Sequence, residues 1–555
     1  MKHRALLVSA LALVLWAALV YVTGGVSGAL ASVRISSRSV VRPAVLAVLL
    51  LGVHAVVYGW QSLDADAEWL MGALGRAIVP LVAAASILVL YAGISCSTLS
   101  AGGSDSYGYV SQVDLWLNHQ LRTTQPFVET VPIPYADRAF TPLAYEPSGN
   151  DHGIVPTYPS GFPVLMAIGK AVAGVRGMYA VVPILGAVTI WLCYLLGTRT
   201  ASPIVGGVAA LGLAASPAFL FMLMPPMSDI PATAFWTAAI FFTLGGSRKY
   251  SSLVAGACCA VAIAIRPNLA PLAALPFAYL VWTHGGWRSF AIAVLPGAVF
   301  VAAVNTYLYG SPVASGYGDP RTLYAWRYAS INLQHNAAWL FESQTPIVLF
   351  AVLGMVRRPR ANALLGSFVA AMGVSYLFYT PFDAWWYLRF LLPAWPALLI
   401  LTADGLAIVT ARLPRLAQAV VLAVGSVLLV GYQVEFAVTH GVFAQRDAES
   451  RYELVGDYVS SFTPANAVVL SMQHSGSLRY YGHRVTLRYD WIAPESLDST
   501  IALLRERGYR PFIVLDDWEE PVFKQRFAGS AIGRLEGKPL ADFGGRARLY
   551  EPAER

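Results

Sequence analysis

The chain has 555 residues, of which 57% are hydrophobic and 12% charged, and carries a formal net charge of +7 at pH 7. A soluble domain holds roughly 25% charged residues, so this composition excludes an ordinary soluble protein and points to repeated passage through a bilayer. The basic surplus reads as loop charge that orients membrane helices, and no nucleic-acid partner is expected.

In chain order, apolar runs predict membrane spans at 5–23, 43–60, 77–97, 177–197, 203–223, 229–245, 251–266, 269–283, 289–308, 345–356, 362–380, 386–408 and 416–437, about 13 in all. The start, MKHRALLVSALALVLW, also fits a signal peptide with a small-residue site near Ala31. Its apolar core is long for that, and an uncleaved anchor is expected. Short basic breaks at 198–200, 247–250, 287–289, 357–360 and 411–415 read as cytoplasmic turns. The longer breaks at 98–176 and 309–344 then become external loops. This placement also puts 24–42 outside, against the pull of Arg34, Arg38 and Arg42. The four cysteines sit inside apolar runs and suit neither a zinc site nor a disulfide framework.

The first external loop opens on GGSDSYGYVSQVDLW, residues 102–116. Asp105 stands where an Asp caps a helix, accepting backbone N–H bonds. Tyr109 and Gln112 continue a polar stripe from it at helical spacing. An ionisable group at the membrane lip is also a functional candidate by default. Further along, YEPSGNDHG offers Glu146, Asp151 and His152 as a candidate divalent-ion cluster, although the same residues suit a solvated turn. TYPSGFPVLMAIGKAVAGV (157–175) predicts a short helix along the outer membrane surface, able to wall a groove.

Asp229 follows two prolines and precedes Pro231, so it too fits a helix cap. Arg266 lies in AIRPNLAP and Arg389 in PFDAWWYLRFLLPAWP. The Trp and Tyr residues around Arg389 fit an interfacial belt, and Arg389 itself fits a lipid-phosphate contact. Residues 441–555 differ in kind: charge density rises, and helix-like stretches alternate with strand-like ones, which predicts an external α/β domain after a membrane body of residues 1–440. No glycine-rich phosphate loop follows its strands.

An Asp in the first external loop, YPSGFP, a second Asp after the next hairpin and a terminal external domain recur together in one group. The chain resembles the GT-C fold glycosyltransferases that use polyprenyl-phosphate sugars, a group that includes protein mannosyltransferases and lipid A aminoarabinose transferases. The resemblance implies a polytopic α-helical GT-C-like fold and transfer of a hexosyl or pentosyl group from a polyprenyl-phosphate-linked donor to the hydroxyl of a lipid, glycan or protein acceptor, with inversion. It implies that Asp105 is, or orients, the general base and that Asp229 is the second acidic residue. Arg389 would contact the donor phosphate, with Arg266 and Arg138 as further candidates. Tyr107, Tyr109, Gln112, Tyr158, Trp385, Trp386 and Tyr387 would line the substrate groove. A bacterial-type inner membrane, with the site on the periplasmic side, is the expected location. The neighbours of Asp105 are Ser104 and Ser106 where the family often has an acidic residue, which leaves a divalent metal open and no cofactor certain. A polytopic transporter or flippase would suit the many spans, but its charges would gather at the midplane. An O-antigen polymerase or ligase would carry its large loop late in the chain rather than early.

Overall fold

A computed structural model describes residues 2–30, 33–37, 39–149, 151–245, 249–357 and 359–553. Ala31, Arg38, Arg248 and Arg358, which entered the topology reading, lie outside the described residues. The chain is mostly helical. Among the described residues seven helices are long and apolar enough to cross a membrane, or up to nine if each of two bent pairs is one span, against the thirteen expected. The difference has local causes. The runs at 229–245, 251–266 and 269–283 fold as Asp229–Thr243 (15 residues), Lys249–Ile265 (17 residues) and Ala274–Trp282 (9 residues). Pro267 and Pro271 turn the first part of the third run into a 3-10 segment, Pro267–Ala273, because proline withholds the N–H that an α-helix needs.

At the N-terminus α1 (Lys2–Thr23) and α2 (Val41–Tyr58) flank an antiparallel hairpin, Val26–Leu30 with Val33–Ser37. Next, α3 runs unbroken from Trp60 to Cys96, 37 residues, although hydropathy placed only its second half. Asp64, Asp66 and Glu68 interrupt the apolar pattern there. The helix continues because Asp64 and Glu68 face outward while Asp66 is paired inside the protein.

The stretch after α3 then builds α4 (Asp105–Leu117) and a three-stranded antiparallel sheet, with Gly153–Pro156 between Thr123–Thr124 and Tyr145–Ser148. The helix Gly161–Thr200 is broken at Ala173 and Gly174, where Gly174 takes φ 64°, so the YPSGFP segment forms a helix distinct from the span after it. The turn is tight: a Cβ on Gly169 would lie 2.5 Å from the Gly177 carbonyl oxygen. Small residues let other helices approach closely. A Cβ on Gly297 would meet the Ala260 backbone at 2.2 Å, and one on Gly405 the Phe350 carbonyl at 1.9 Å.

The C-terminal region forms a five-stranded sheet in the order Val485–Leu487, Ala467–Leu470, Arg510–Asp516, Ala547–Tyr550, Ala541–Asp542. Its first three strands are parallel and the last two antiparallel, with helices Arg451–Phe462 and Leu497–Glu506 supplying cover. One of its cores takes in Val128, Val131, Ala139 and Phe140 from the loop after α4 beside Val468, Leu470 and Ile513. Loop and sheet therefore share one apolar interior. Arg479 ties them further, donating to Gln125 Oε1 at 2.7 Å and to the Phe140 carbonyl.

Candidate active site

The functional side chains sit at helix ends that meet at one end of the bundle. Asp105 starts α4, Asp229 starts the helix Asp229–Thr243, Arg266 follows Lys249–Ile265, and Arg389 lies in the 3-10 segment Trp385–Ala394. Together they border a cavity of about 560 Å³, within the roughly 300–1,000 Å³ of small-molecule sites.

Two acid–base pairs organise it. Arg389 Nη2 donates to Asp105 Oδ2 at 2.8 Å, and Arg266 Nη2 donates to Asp229 Oδ1 at 2.6 Å. Asp229 and Arg266 are 1% and 11% exposed, Asp105 and Arg389 30% and 15%, so the Asp105–Arg389 pair is the open one. Neither Asp caps its helix through its side chain, contrary to the capping expectation: each occupies the first helical position after a serine, Ser104 or Ser228, and is turned toward its arginine. Tyr158 donates to Asp105 Oδ1 and lies 2.8 Å from Ser104 Oγ. Burial opposes the ionised form of Asp105, but the Arg389 guanidinium and the Tyr158 hydroxyl outweigh it and hold the carboxyl below its usual value of 3.8. Burial, reinforced by the Asp105 charge, pushes the Tyr109 and Tyr158 hydroxyls well up, so both stay neutral donors.

Among the described residues three buried polar atoms in this group have no hydrogen-bond partner: Arg389 Nε, Arg266 Nη1 and Asp229 Oδ2. Buried donors are costly when unsatisfied, and two on neighbouring guanidinium groups mark a place for an anion. Around them stand stacked rings, Tyr376 on Phe390 at 5.2 Å and Phe382 on Tyr387 at 4.1 Å. Tyr317, from the 309–344 loop, meets Tyr158 edge-on at 5.8 Å.

Of the residues singled out from sequence, the structure gathers Asp105, Asp229, Arg266, Arg389, Tyr109, Tyr158 and Tyr387 on this cavity. It places the others elsewhere. Tyr107 packs beside Tyr145 and against Gly476 of the C-terminal region. Gln112 is fully buried, donating to the Gly108 and Tyr158 carbonyls, and acts as a strut. Trp385 packs on Phe221 and Phe436, and Trp386 stacks on Phe221 at 5.5 Å. Arg138 borders a neighbouring cavity, where it pairs with Glu146 at 3.4 Å and lies over Trp491.

The proposed ion cluster does not form. Asp151 pairs with Arg122, Glu146 with Arg138, and His152 Nδ1 with Asp137 Oδ1 at 2.5 Å, so three different partners hold the side chains apart. These residues do not fit a shared ion, and no step is derived through a metal. Sequence reasoning missed Ser228, which accepts from Tyr109 and Arg266, and Asn268, which donates to Tyr376 at 2.8 Å. Asn268 stands two residues from Arg266 in the same motif, a usable signal; Tyr317, an aromatic between two glycines, offered a weaker one.

This architecture is a multi-pass membrane protein with the GT-C fold, so the resemblance seen in the motifs extends to the fold. Residues 158–309 match the model of the dolichyl-phosphate-mannose-protein mannosyltransferase family. The structure is similar to ArnT from Cupriavidus metallidurans bound to undecaprenyl phosphate, with a TM-score of 0.54 at 14% identity, covering 86% of this chain and 98% of that one. The apo state of the same ArnT gives a TM-score of 0.57 at 13% identity, with coverage of 86% and 98%. The archaeal oligosaccharyltransferase AglB from Archaeoglobus fulgidus, in complex with an inhibitory peptide and a dolichol-phosphate, gives 0.51 at 13% identity, covering 84% of this chain and 72% of that one. No curated protein matches the sequence significantly.

Proposed function

We propose that this protein is an integral membrane glycosyltransferase that moves a sugar from a polyprenyl-phosphate donor to an acceptor hydroxyl at the external membrane face, inverting the anomeric centre. The observation that carries this reading is the pair of arginines with unpartnered N–H groups beside two carboxylates in one aromatic-walled cavity. A donor with its tail in the bilayer and its sugar at the surface needs a site at the ends of the spans. The similarity to proteins seen with undecaprenyl phosphate and dolichol-phosphate supports the same donor class. We further propose that the loop 98–176 and residues 441–555 lie on that external face.

In this mechanism the acceptor oxygen attacks the anomeric carbon from the side opposite the phosphate. The bond from that carbon to the phosphate oxygen breaks, and polyprenyl phosphate leaves with the electron pair. Asp105 takes the acceptor proton. Its pairing with Arg389 makes it a weak base at rest. A donor phosphate that engages Arg389 draws the guanidinium away, and the carboxylate becomes more basic only when a donor is bound. Arg266, held by Asp229, supplies the second positive charge against the leaving group. Incubating native membranes containing the protein with a panel of radiolabelled polyprenyl-phosphate sugars tests the reading. Label passing to a product only where the protein is present supports it; no transfer from any donor, with membranes proven intact, overturns it.

A further inference from the structure

The far end of the molecule holds a second cluster of chemistry-bearing side chains. His3 begins α1, His54 lies near the end of α2, and Asp66 lies near the start of α3. Asp105 follows the opposite end of α3. Thirty residues of helix from Asp66 to Cys96 span about 45 Å, so this cluster takes no part in chemistry at the cavity.

We propose that His3, His54 and Asp66 form a divalent transition-metal site of the zinc class, which pins the first three helices together at the membrane face opposite the candidate active site. One ligand atom from each residue lies within 4.8 Å of the others. Asp66 Oδ2 stands 2.5 Å from His3 Nδ1 and 3.0 Å from His54 Nε2. Tetrahedral zinc with bonds of about 2.0–2.1 Å separates its ligands by roughly 3.4 Å. Side-chain movements of less than about 1 Å therefore convert this arrangement into a coordination shell. Two imidazoles and a carboxylate are a donor set that zinc, cobalt and nickel favour over magnesium or calcium.

Burial supplies the second line of argument. His54 and Asp66 are 0% and 1% exposed. Among the described residues the one arginine on the carboxylate is Arg4, whose Nε lies 3.3 Å from Oδ1 and whose side chain is 44% exposed. Oδ2 is left between the two imidazoles, and Arg4 already rests over the Trp69 ring at 5.1 Å, a place it can keep when an ion takes the carboxylate. Among the described residues His54 Nδ1 has no partner, and Asp66 alone holds that ring by hydrogen bonding. His3, at 34% exposure, gives an ion and a fourth, water ligand a way in.

The test uses full-length protein purified in detergent without a polyhistidine tag. Metal content is measured after growth in zinc-supplemented medium, and cobalt(II) titration reads affinity and the visible absorption of tetrahedral cobalt. Wild type should retain about one zinc per chain and show the tetrahedral spectrum. His54→Gln and His3→Ala should each bind cobalt at least tenfold more weakly, since even second-shell changes cost about 10–100-fold. Asp151→Asn/His152→Asn should bind as wild type does. His3 is one-third exposed near the start of α1, so His3→Ala keeps the test valid should His54→Gln fail to fold. Substoichiometric metal in wild type, or equal affinity in wild type and His3→Ala, would overturn the site and leave a hydrogen-bonded His–Asp–His cluster.

Discussion

Replacing Arg389 separates its two roles. It donates to Asp105 at 2.8 Å, and both side chains are less than one-third exposed. A hydrogen bond between charged groups contributes about 1.5–3 kcal/mol, and the partial exposure places this one near the lower end. Arg389→Ala should therefore lower the thermal midpoint by a few degrees without unfolding the protein. The effect on turnover should be larger, because the guanidinium faces the charge that develops on the departing phosphate. Losing such a donor costs roughly 10²–10³-fold in rate. The pH profile carries the distinguishing sign. With Arg389 present the Asp105 carboxyl lies below 3.8, so its ionised form stabilises the protein at and above that pH and the contribution is lost only on further acidification. Without Arg389, burial is opposed only by Tyr158 and the more distant Arg266, and the carboxyl rises. The assay is kcat/KM against pH in detergent, from pH 4 to 8. The variant should show a new acid limb where wild type is flat. Arg389→Lys should restore the flat profile but little of the rate, since a compact ammonium lacks the planar fork that engages a phosphate through two hydrogen bonds. More than about one-tenth of wild-type kcat/KM in Arg389→Ala, with no movement of the acid limb, would refute this reasoning.

Asp229→Asn strips the partner from a nearly inaccessible arginine and should cost about 3–5 kcal/mol of stability; Asp229→Asn/Arg266→Met should recover much of it, read as the unfolding midpoint of each variant. Gly102→Ala places a Cβ 2.1 Å from the ring of Tyr452, which is 1% exposed. The variant should lose roughly 1–3 kcal/mol, and limited proteolysis should cut between the loop and the C-terminal region more readily than in wild type. Tyr158→Phe removes a hydroxyl that favours the ionised form of Asp105. Its acid limb should move upward, by less than in Arg389→Ala, in the same kcat/KM profile.

Hydropathy made most of the membrane helices legible, because a bilayer admits few alternatives to a long apolar helix. It failed in α3, where three acidic residues within five positions read as a loop although only one of them points inward. Asp105 and Asp229 were visible as helix starts; their arginine partners were not, since Asp105 and Arg389 are 284 residues apart and no local pattern links them. The same limit hid the shared core of Phe140 and Ile513, which joins an early loop to a late sheet. Aromatic residues misled in the other direction. Tyr107 and Trp386 carry the composition of a binding groove, yet both are taken up by packing against other rings. His3, His54 and Asp66 are far apart in the sequence and became a cluster only when the first three helices were placed.

The most direct test is single-turnover transfer of radiolabelled sugar from a polyprenyl-phosphate donor, comparing wild type with Asp105→Asn at saturating donor. Loss of about 10²–10⁴-fold in the transfer step, with donor binding no weaker than in wild type, is the predicted result. Equal transfer in the two proteins would contradict the assignment of Asp105 as the base.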